Sequence, residues 1–311
     1  KAAGRGKAEG TVDLVWINGE NFAAMKREGL LFGPFSEGLP NFRYVDTAGK
    51  PTTLKDFSVP TEGMESPWGM AQFTLYADSR RLPKPPQSMA ELLVLTRSQP
   101  GRVTYPRVPD FTGTTFVKQA LVEVVGDASV LSRPPATADF ARLTAPLWQF
   151  LDALHPQLWR GGKQFPQNPA AVRQMMADGE LLLGLTFNPN EAANEIAAQR
   201  LPATVTSWQF AKGTIGNTHF VAIPYNAKAS AGAQVVANFL LSAQAQARKA
   251  DIAVWGDPTV LDLARLPEAE RARFPSRPLP GQVVQGAPTL PEPHAAWVEP
   301  IEQEWTRRYG V

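Results

Sequence analysis

The segment Thr104–Gln119, TYPRVPDFTGTTFVKQ, carries the densest group of residues that could bind a ligand. Arg102–Tyr105 before the turn is typical of a short strand, and Phe116–Val125 after it is typical of a helix. A polar turn that opens a helix exposes several backbone N–H groups, and the helix dipole adds partial positive charge. The threonines here can cap the helix or offer hydroxyls to a ligand: Thr112, Thr114 and Thr115. We interpret this turn as one wall of a small-molecule site, with an ordinary capped helix as the alternative.

A second polar turn lies near the start of the chain. The near-continuous apolar run Val12–Ile17 predicts a buried strand, and Phe22–Glu28, closed by Gly29, predicts a helix. The residues between them would lie where an α/β sheet exposes its strand ends, and open α/β sheets bind ligands there. Asn18 or Asn21 can instead cap the helix, which is the structural alternative.

A tryptophan follows in the turn-rich loop Pro60–Gly69. Trp68, close to Ser66, is rigid and has one N–H donor, so it suits a ligand wall as well as a core. The alternating run Met70–Ala77 after it predicts a strand.

The residue types leave two ligand chemistries open. Hydroxyls and free N–H groups at Thr112–Thr115 favour an anion such as a phosphate or a carboxylate. Aromatic residues together with Glu20, Glu65 and Asp110 favour an organic cation. We favour an organic cation, or a zwitterion that carries a ring, and keep an oxyanion as the alternative.

Composition excludes several classes of protein. The 311 residues are 43% hydrophobic and 19% charged with a net charge of +2, which suits two globular lobes and offers no basic block for nucleic acid. There is no cysteine, which excludes disulfides and thiolate chemistry and weakly indicates an oxidising compartment. No apolar run approaches the roughly 20 residues of a membrane span.

An enzyme is the rival class. Glu20 and Glu65 could form a carboxylate pair for glycoside hydrolysis, and three histidines could act as bases: His155, His219 and His294. The histidines lie far apart without metal-type spacing, and no nucleophile elbow, phosphate loop or nucleotide fingerprint occurs. We therefore predict no catalytic residue, no metal and no cofactor.

Strand and helix patterns alternate through the middle of the chain. Such β-then-α units favour the α/β class, with a mainly parallel sheet covered by helices in each lobe. The predicted elements are helices at Ser88–Leu95, Ala138–Leu154 (kinked or restarted at Pro146), Pro169–Gly179, Glu191–Gln199 and Ala229–Arg248, and strands at Leu181–Phe187, Thr204–Phe210 and His219–Ile223. Lys1–Glu9 is typical of a helix tail, and the end of the chain, Pro258–Val311, is predicted to be mostly helical.

The order of these elements resembles that of bacterial extracellular solute-binding proteins. The segment PYNAKASAGAQVVANFLLSAQAQARK, with its FLLS-x-x-AQ end at Phe239–Gln246, resembles the helix that follows the second crossing between their lobes. Further motifs resemble the binding-protein component of one ABC import system of Gram-negative bacteria: VDLVWINGENF, VPTEGMESPWG, YPRVPDFTGTTF, LTFNP, GTIGNTHFVAIP and AVWGDP.

The resemblance implies a two-lobed type II periplasmic binding fold. The expected N-terminal lobe comprises residues 1–75 and 225–311, and the expected C-terminal lobe comprises residues 76–224. It also implies a monomer in the periplasm that hands its solute to a membrane-embedded ABC permease. A signal peptide and a first βα unit are expected to precede this sequence.

The resemblance places the solute in a cleft between the lobes, lined by strand ends and helix starts. The predicted ligand-binding residues are Trp16, Asn18, Glu20, Asn21, Ser66, Trp68, Tyr105, Asp110, Thr112, Gly113, Thr114, Trp159, Asn188 and Asn217.

Overall fold

The computed structural model describes residues 9–275, 279–283 and 286–310. The described chain divides into two compact units, which we call unit 1 (9–71 and 217–275) and unit 2 (72–216, 279–283 and 286–310). The predicted helix tail at Lys1–Glu9 lies, apart from its last residue, outside the described residues. No helix in the described ranges is long and apolar enough to cross a membrane.

Strands and helices are mixed along the described chain, but they do not alternate throughout: four strands follow one another before four helices. The strands are β1 Val15–Ile17, β2 Lys55–Asp56, β3 Val59–Pro60, β4 Glu65–Gln72, β5 Thr74–Asp78, β6 Leu183–Thr186, β7 Val205–Trp208, β8 Thr214–Ala222 and β9 Thr289–Pro291. The helices are α1 Glu20–Arg27, α2 Met89–Ser98, α3 Phe111–Val124, α4 Thr137–Leu154, α5 Pro169–Ala177, α6 Glu191–Ala197, α7 Ser230–Leu240, α8 Ala243–Ala250, α9 Glu268–Arg271 and α10 Val298–Tyr309.

In unit 1, β8 lies between β1 and β4. β1 pairs antiparallel with β8, and Trp16 lies opposite Val221. The core beside this sheet is formed by apolar side chains from the strands and from α7 and α8, among them Val221, Ile223, Ala237 and Leu241. Trp68 is partly buried against the same core. The sheet therefore positions two of the predicted aromatic site residues on the strands that flank β8, Trp16 on β1 and Trp68 on β4.

In unit 2, β5 lies between β6 and β7, and both pairings are antiparallel. Every residue of β5 is buried, as expected of a strand covered on both faces. β9 pairs with the first residues of β8 in the parallel direction. The α/β class is confirmed. The expectation of mainly parallel pairing is wrong for β1 with β8 and for β5 with both of its neighbours. These strands are distant in sequence and run in opposite directions where they pair.

The C-terminal helix α10 packs on unit 2, whereas the sequence assigned residues 225–311 to the first lobe. Trp297, Ile301 and Trp305 are fully buried, and their spacing places them on one face of the helical end of the chain. Trp305 donates a hydrogen bond from Nε1 to Tyr105 Oη at 2.8 Å. Of the residues from 225 onwards, those up to 275 therefore lie in unit 1, and the described residues from 279 onwards lie in unit 2.

Several predicted elements differ from the structure, among them the end of the chain, where only Val298–Tyr309 forms a long helix in the described part of Pro258–Val311. Arg102–Tyr105 is extended but joins no strand, because its carbonyls accept single bonds from separate segments, Leu182 and Trp159. The helix predicted over Ala229–Arg248 is interrupted at Leu241–Ser242, where the Ser242 hydroxyl caps α8.

The predicted break at Pro146 does not occur, and α4 runs through it. The helix buries Leu147, Leu151 and Leu154 completely. Burial of this apolar stripe offsets the one backbone hydrogen bond that proline removes.

Candidate ligand-binding site

Three tryptophans of unit 1 form one aromatic group, which we call the tryptophan cluster: Trp16, Trp68 and Trp255. The ring centroids of Trp16 and Trp68 are 4.8 Å apart with the planes at 84°. Trp255 lies 5.2 Å from Trp68 and 6.0 Å from Trp16. The Trp16 side chain is 49% exposed. A half-exposed indole supported by two others offers a rigid aromatic surface to a ligand.

Local hydrogen bonds orient Trp16. Its indole Nε1 donates to Asn18 Oδ1 at 2.8 Å, and Asn18 Nδ2 donates to the Thr218 carbonyl at 2.7 Å. Asn18 therefore ties the end of β1 to β8 and holds the indole in place. It was predicted to bind the ligand itself, but in this structure its amide groups are engaged within the protein.

The turn that opens α1 is satisfied internally. Neither asparagine caps the helix: the N-cap is Gly19, and its N–H donates to Asp56 Oδ2 at 2.7 Å. Gly19 has a φ of +61° and lies against the Phe57 ring, so a side chain would be strained and would collide there. Glu20 and Asn21 are exposed in the first turn of α1, which leaves both free to meet a ligand.

Two donors near Trp68 are buried. The Trp68 Nε1 and the Ser66 hydroxyl have no hydrogen-bond partner among the described residues. Ser66 is fully buried, and Trp68 is partly buried with Lys249 Nζ 5.9 Å from its ring centroid. Buried donors are normally paired, so these two groups indicate unfilled hydrogen-bonding capacity close to the tryptophan cluster.

A buried ion pair supports the cluster from behind. Lys249 Nζ donates to Asp257 Oδ2 at 2.6 Å, and both side chains are 5% exposed. Burial lowers the pKa of Lys249, and the neighbouring Asp257 carboxylate opposes that shift. Asp257 Oδ1 also lies 3.5 Å from His219 Nε2. His219 in turn lies 5.2 Å from the Trp16 ring. The positive charge of Lys249 and the negative charge of Asp257 therefore offset each other close to the aromatic surface.

The α3 turn of unit 2 is closed by its own carboxylate. Asp110 is the N-cap of α3, and its Oδ1 accepts from the N–H groups of Thr112 and Gly113 at 2.9 and 3.2 Å. The N–H groups expected to be free are therefore occupied, and α3 begins five residues before the predicted helix start. Partial burial raises the pKa of Asp110, and the two N–H groups oppose the shift.

The remaining residues of that turn are packed. Thr114 is buried and donates from its hydroxyl to Glu302 Oε1 of α10 at 2.6 Å. Gly113 is required because a Cβ there would collide with the Pro106 carbonyl oxygen. Thr112 is buried as well. An anion would have to displace Asp110 to use this helix start.

Tyr105 is a core residue of unit 2 rather than part of a ligand surface. It is fully buried and stacks on Phe116 at 4.2 Å. Its hydroxyl contacts His155 Nε2 and Trp305 Nε1, each at 2.8 Å. Burial raises the pKa of Tyr105 and lowers that of His155 to about 4.

Trp159 and Asn188 also have structural partners in unit 2. The Trp159 indole donates to Glu180 Oε1 at 2.6 Å and packs against the cluster around Tyr76. Asn188 Oδ1 accepts from the Asn190 N–H at 3.0 Å. Both residues thus stabilise turns, although each keeps some exposed surface.

Asn217 and Glu65 are buried in unit 1. Burial, and then the nearby Asp56 carboxylate, raise the pKa of Glu65 well above its ordinary value. The raised pKa disfavours the charged form of Glu65, which weakens it as a carboxylate for a cation or for glycoside hydrolysis.

Sequence reasoning did not assign to the ligand several residues that the structure brings to the candidate site. They include Trp255 and Asp257, which were not singled out, and His219, which was named only as a possible base; Phe111 of unit 2 is 46% exposed beside Phe187 but lies at no candidate site. The motif AVWGDP contained a signal, since it places Trp255 and Asp257 two residues apart. No group of three His, Asp or Glu side chains that could hold a metal occurs in the described ranges.

The comparisons with known proteins identify the class. The family model described as "Bacterial extracellular solute-binding protein" matches residues 1–272, so this chain belongs to that family. It is a solute-binding protein of the ABC transporter type.

The chain is also similar to one relative in sequence and to two solved structures in fold. The chain is 54% identical over 310 residues to "Protein YnjB" of Escherichia coli strain K12, covering all of this chain and 78% of that protein. An ABC transporter structure from Clostridium perfringens aligns with a TM-score of 0.66 and 18% identity over 97% of this chain and 84% of that one. The periplasmic binding protein AfuA of Actinobacillus pleuropneumoniae, with fructose-6-phosphate bound, gives 0.64 and 15% over 98% and 85%. At these identities, the two structures show a shared type II fold and nothing about this chain's solute.

Proposed function

We propose that this chain captures a small organic cation, or a zwitterion with a ring, in the periplasm and delivers it to a membrane-embedded ABC permease. The tryptophan cluster carries this proposal. Trp16 offers a half-exposed ring whose electron-rich face attracts a cation, and the edges of the other two indoles hold it rigid. The family supports the transport role, and the Gram-negative relative supports the periplasmic location.

The electrostatics beside the cluster agree with such a solute. Lys249 is neutralised by Asp257, so the buried ammonium does not repel a cation as an unpaired charge would. Glu20 is exposed at the start of α1 and supplies a carboxylate in the same unit. A zwitterion would use the same ring face and direct its own carboxylate towards solvent or a donor.

An oxyanion is the weaker candidate. The helix start predicted to bind it already holds the Asp110 carboxylate, and two carboxylate-like groups cannot share those N–H groups. For a hydrolase, Glu65 is buried and His155 is locked in the core of unit 2, so neither offers the exposed group that the chemistry needs. The prediction that two lobes share the solute stays a prediction.

Native mass spectrometry of the purified protein, before and after unfolding and refolding, tests the proposal. We expect a small adduct that leaves on unfolding, with a mass and a basic nitrogen that fit a ring-bearing cation or zwitterion. A phosphate-bearing adduct, or a protein that shows no adduct and no thermal stabilisation by any aromatic cation, would contradict the proposal.

A further inference from the structure

His219 lies beside the tryptophan cluster, and its surroundings determine which ring nitrogen carries hydrogen. Its Nε2 faces Asp257 Oδ1 at 3.5 Å. A lone pair on Nε2 would be repelled by the carboxylate, so Nε2 carries the hydrogen when the imidazole is neutral. In that tautomer, Nδ1 is a hydrogen-bond acceptor.

Asp257 cannot turn away from His219, because Lys249 anchors it. The ammonium donates to Asp257 Oδ2 at 2.6 Å, to the Asp257 carbonyl at 3.1 Å and to the Pro258 carbonyl at 2.7 Å. All three ammonium protons are thereby used: one holds the Asp257 carboxylate and two hold the adjacent main-chain carbonyls, in a buried setting.

Gly69 leaves the space that this arrangement needs. A Cβ at position 69 would collide with Asp257 Oδ2 and would lie 2.8 Å from His219 Cδ2. The absence of a side chain therefore allows the carboxylate and the imidazole to approach β4 together.

The second ring nitrogen of His219 is an acceptor in a side chain that lies 5.2 Å from the Trp16 ring. The His219 side chain is 19% exposed, and Nδ1 has no hydrogen-bond partner in the part of the chain that the structure describes. The neighbouring Trp16 uses its own N–H for Asn18. A ligand that lies on Trp16 thus meets an imidazole lone pair and would complement it with an N–H donor.

We infer that the solute bound at the tryptophan cluster carries an N–H donor on its cationic nitrogen: it is a protonated primary or secondary amine, or an amidine, and not a quaternary ammonium ion. This inference rests on the proposed function. Aromatic surfaces bind both kinds of cation through the ring faces, and a quaternary ion has no hydrogen to give to His219 Nδ1.

Two probes with the same ring and the same charge separate these cases: phenethylamine and phenethyltrimethylammonium. Isothermal titration at about pH 8, where an ordinary imidazole is neutral, gives their affinities for the whole chain. We expect wild type to prefer phenethylamine by roughly fivefold to tenfold, the effect of one hydrogen bond.

The variant His219→Phe keeps a ring against Trp16 and removes the acceptor. We expect it to lose the preference while it binds phenethyltrimethylammonium within about twofold of wild type. Tyr225→Ala, which removes another exposed aromatic of unit 1, is the matched control and should keep the preference.

Equal affinity of wild type for both probes would overturn the inference and leave the proposed function standing, and it needs no variant to be observed. A preference that survives in His219→Phe would overturn it too, since the selectivity would then come from another group. If neither probe binds wild type, both the inference and the cation proposal fail.

Discussion

Two turns of the molecule, one in each unit, have the same kind of sequence and different surroundings. Each follows an extended segment and opens a helix, α1 in unit 1 and α3 in unit 2. In both turns a carboxylate occupies backbone N–H groups, Asp56 for Gly19 and Asp110 for Thr112 and Gly113. The difference lies beside the turn, because only the unit 1 turn adjoins the tryptophan cluster.

A polar turn before a helix indicates capping more reliably than binding. Helix starts need acceptors for their free N–H groups, and a nearby Asp supplies one. A half-exposed tryptophan supported by two others has no such structural requirement, because its exposed surface contributes nothing to burial. We therefore propose that the binding chemistry lies in unit 1.

The largest expected effect concerns the packed turn of unit 2. Gly113→Ala should lower the free energy of unfolding by about 3 kcal/mol, because its Cβ would collide with the Pro106 carbonyl. Urea unfolding of the variant and of wild type gives this difference. Gly38→Ala is the matched control, since no atom lies within 4 Å of its Cβ, and it should change stability by less than about 0.5 kcal/mol. A mild Gly113→Ala phenotype would mean that the turn is loose and open to a ligand.

Acid should affect the two units in opposite directions. The pKa of His155 in unit 2 is lowered to about 4 by burial, so the unfolded chain binds a proton that the folded unit refuses. The contribution of neutral His155 to the free energy of unfolding is present above the ordinary histidine pKa and is lost as pH falls towards 4. Between pH 7 and pH 5 this amounts to about 2 kcal/mol.

Glu65 in unit 1 has the reverse sign. Its folded pKa is raised, so its contribution is full below the ordinary glutamate pKa and is lost as pH rises through the raised value. Hydrogen exchange at the two pH values should show α10 less protected at pH 5, and β4 no less protected. His155→Gln should reduce the pH dependence of protection in α10, and Glu65→Gln should reduce the pH dependence of protection in β4. Equal loss of protection in α10 and β4 at pH 5 would contradict the opposite signs expected for His155 and Glu65.

A smaller effect is expected at the cap of α3. Asp110→Ala should cost about 1 kcal/mol of stability, and Asp110→Asn much less, because Asn also accepts from the same N–H groups. Neither change should alter phenethylamine affinity by more than about twofold if the carboxylate serves the helix alone. Thermal unfolding and titration of the same samples separate the two roles. A tenfold loss of affinity in both variants would return this turn to the binding site.

The sequence predicted those features whose partners lie close along the chain. Gly29 ends the first helix with a φ of +66°, Ser88 caps α2, and the spacing of Trp297, Ile301 and Trp305 marked a buried stripe. Asp110 lies next to the threonines that it satisfies, so its cap was within reach of local reasoning and was overlooked.

Other features depend on partners that are distant in sequence. Asp56 reaches Gly19 across 37 residues, and Trp255 joins Trp16 only after the chain returns to unit 1. Antiparallel pairing in both units likewise follows from which distant segments meet. Local periodicity carries no information on these pairings, which is why the sequence pointed to Trp16 and Trp68 but not to Trp255.

The most direct test of the account is ligand retention by two exposed-aromatic variants of unit 1, Trp16→Ala and Tyr225→Ala. Native mass spectrometry of each purified protein measures the fraction that carries the small adduct. The account predicts that Tyr225→Ala retains the adduct like wild type, and that Trp16→Ala binds it weaker by about 2 kcal/mol, roughly a thirtyfold loss of affinity. Equal retention by both variants would contradict the claim that the tryptophan cluster holds the solute.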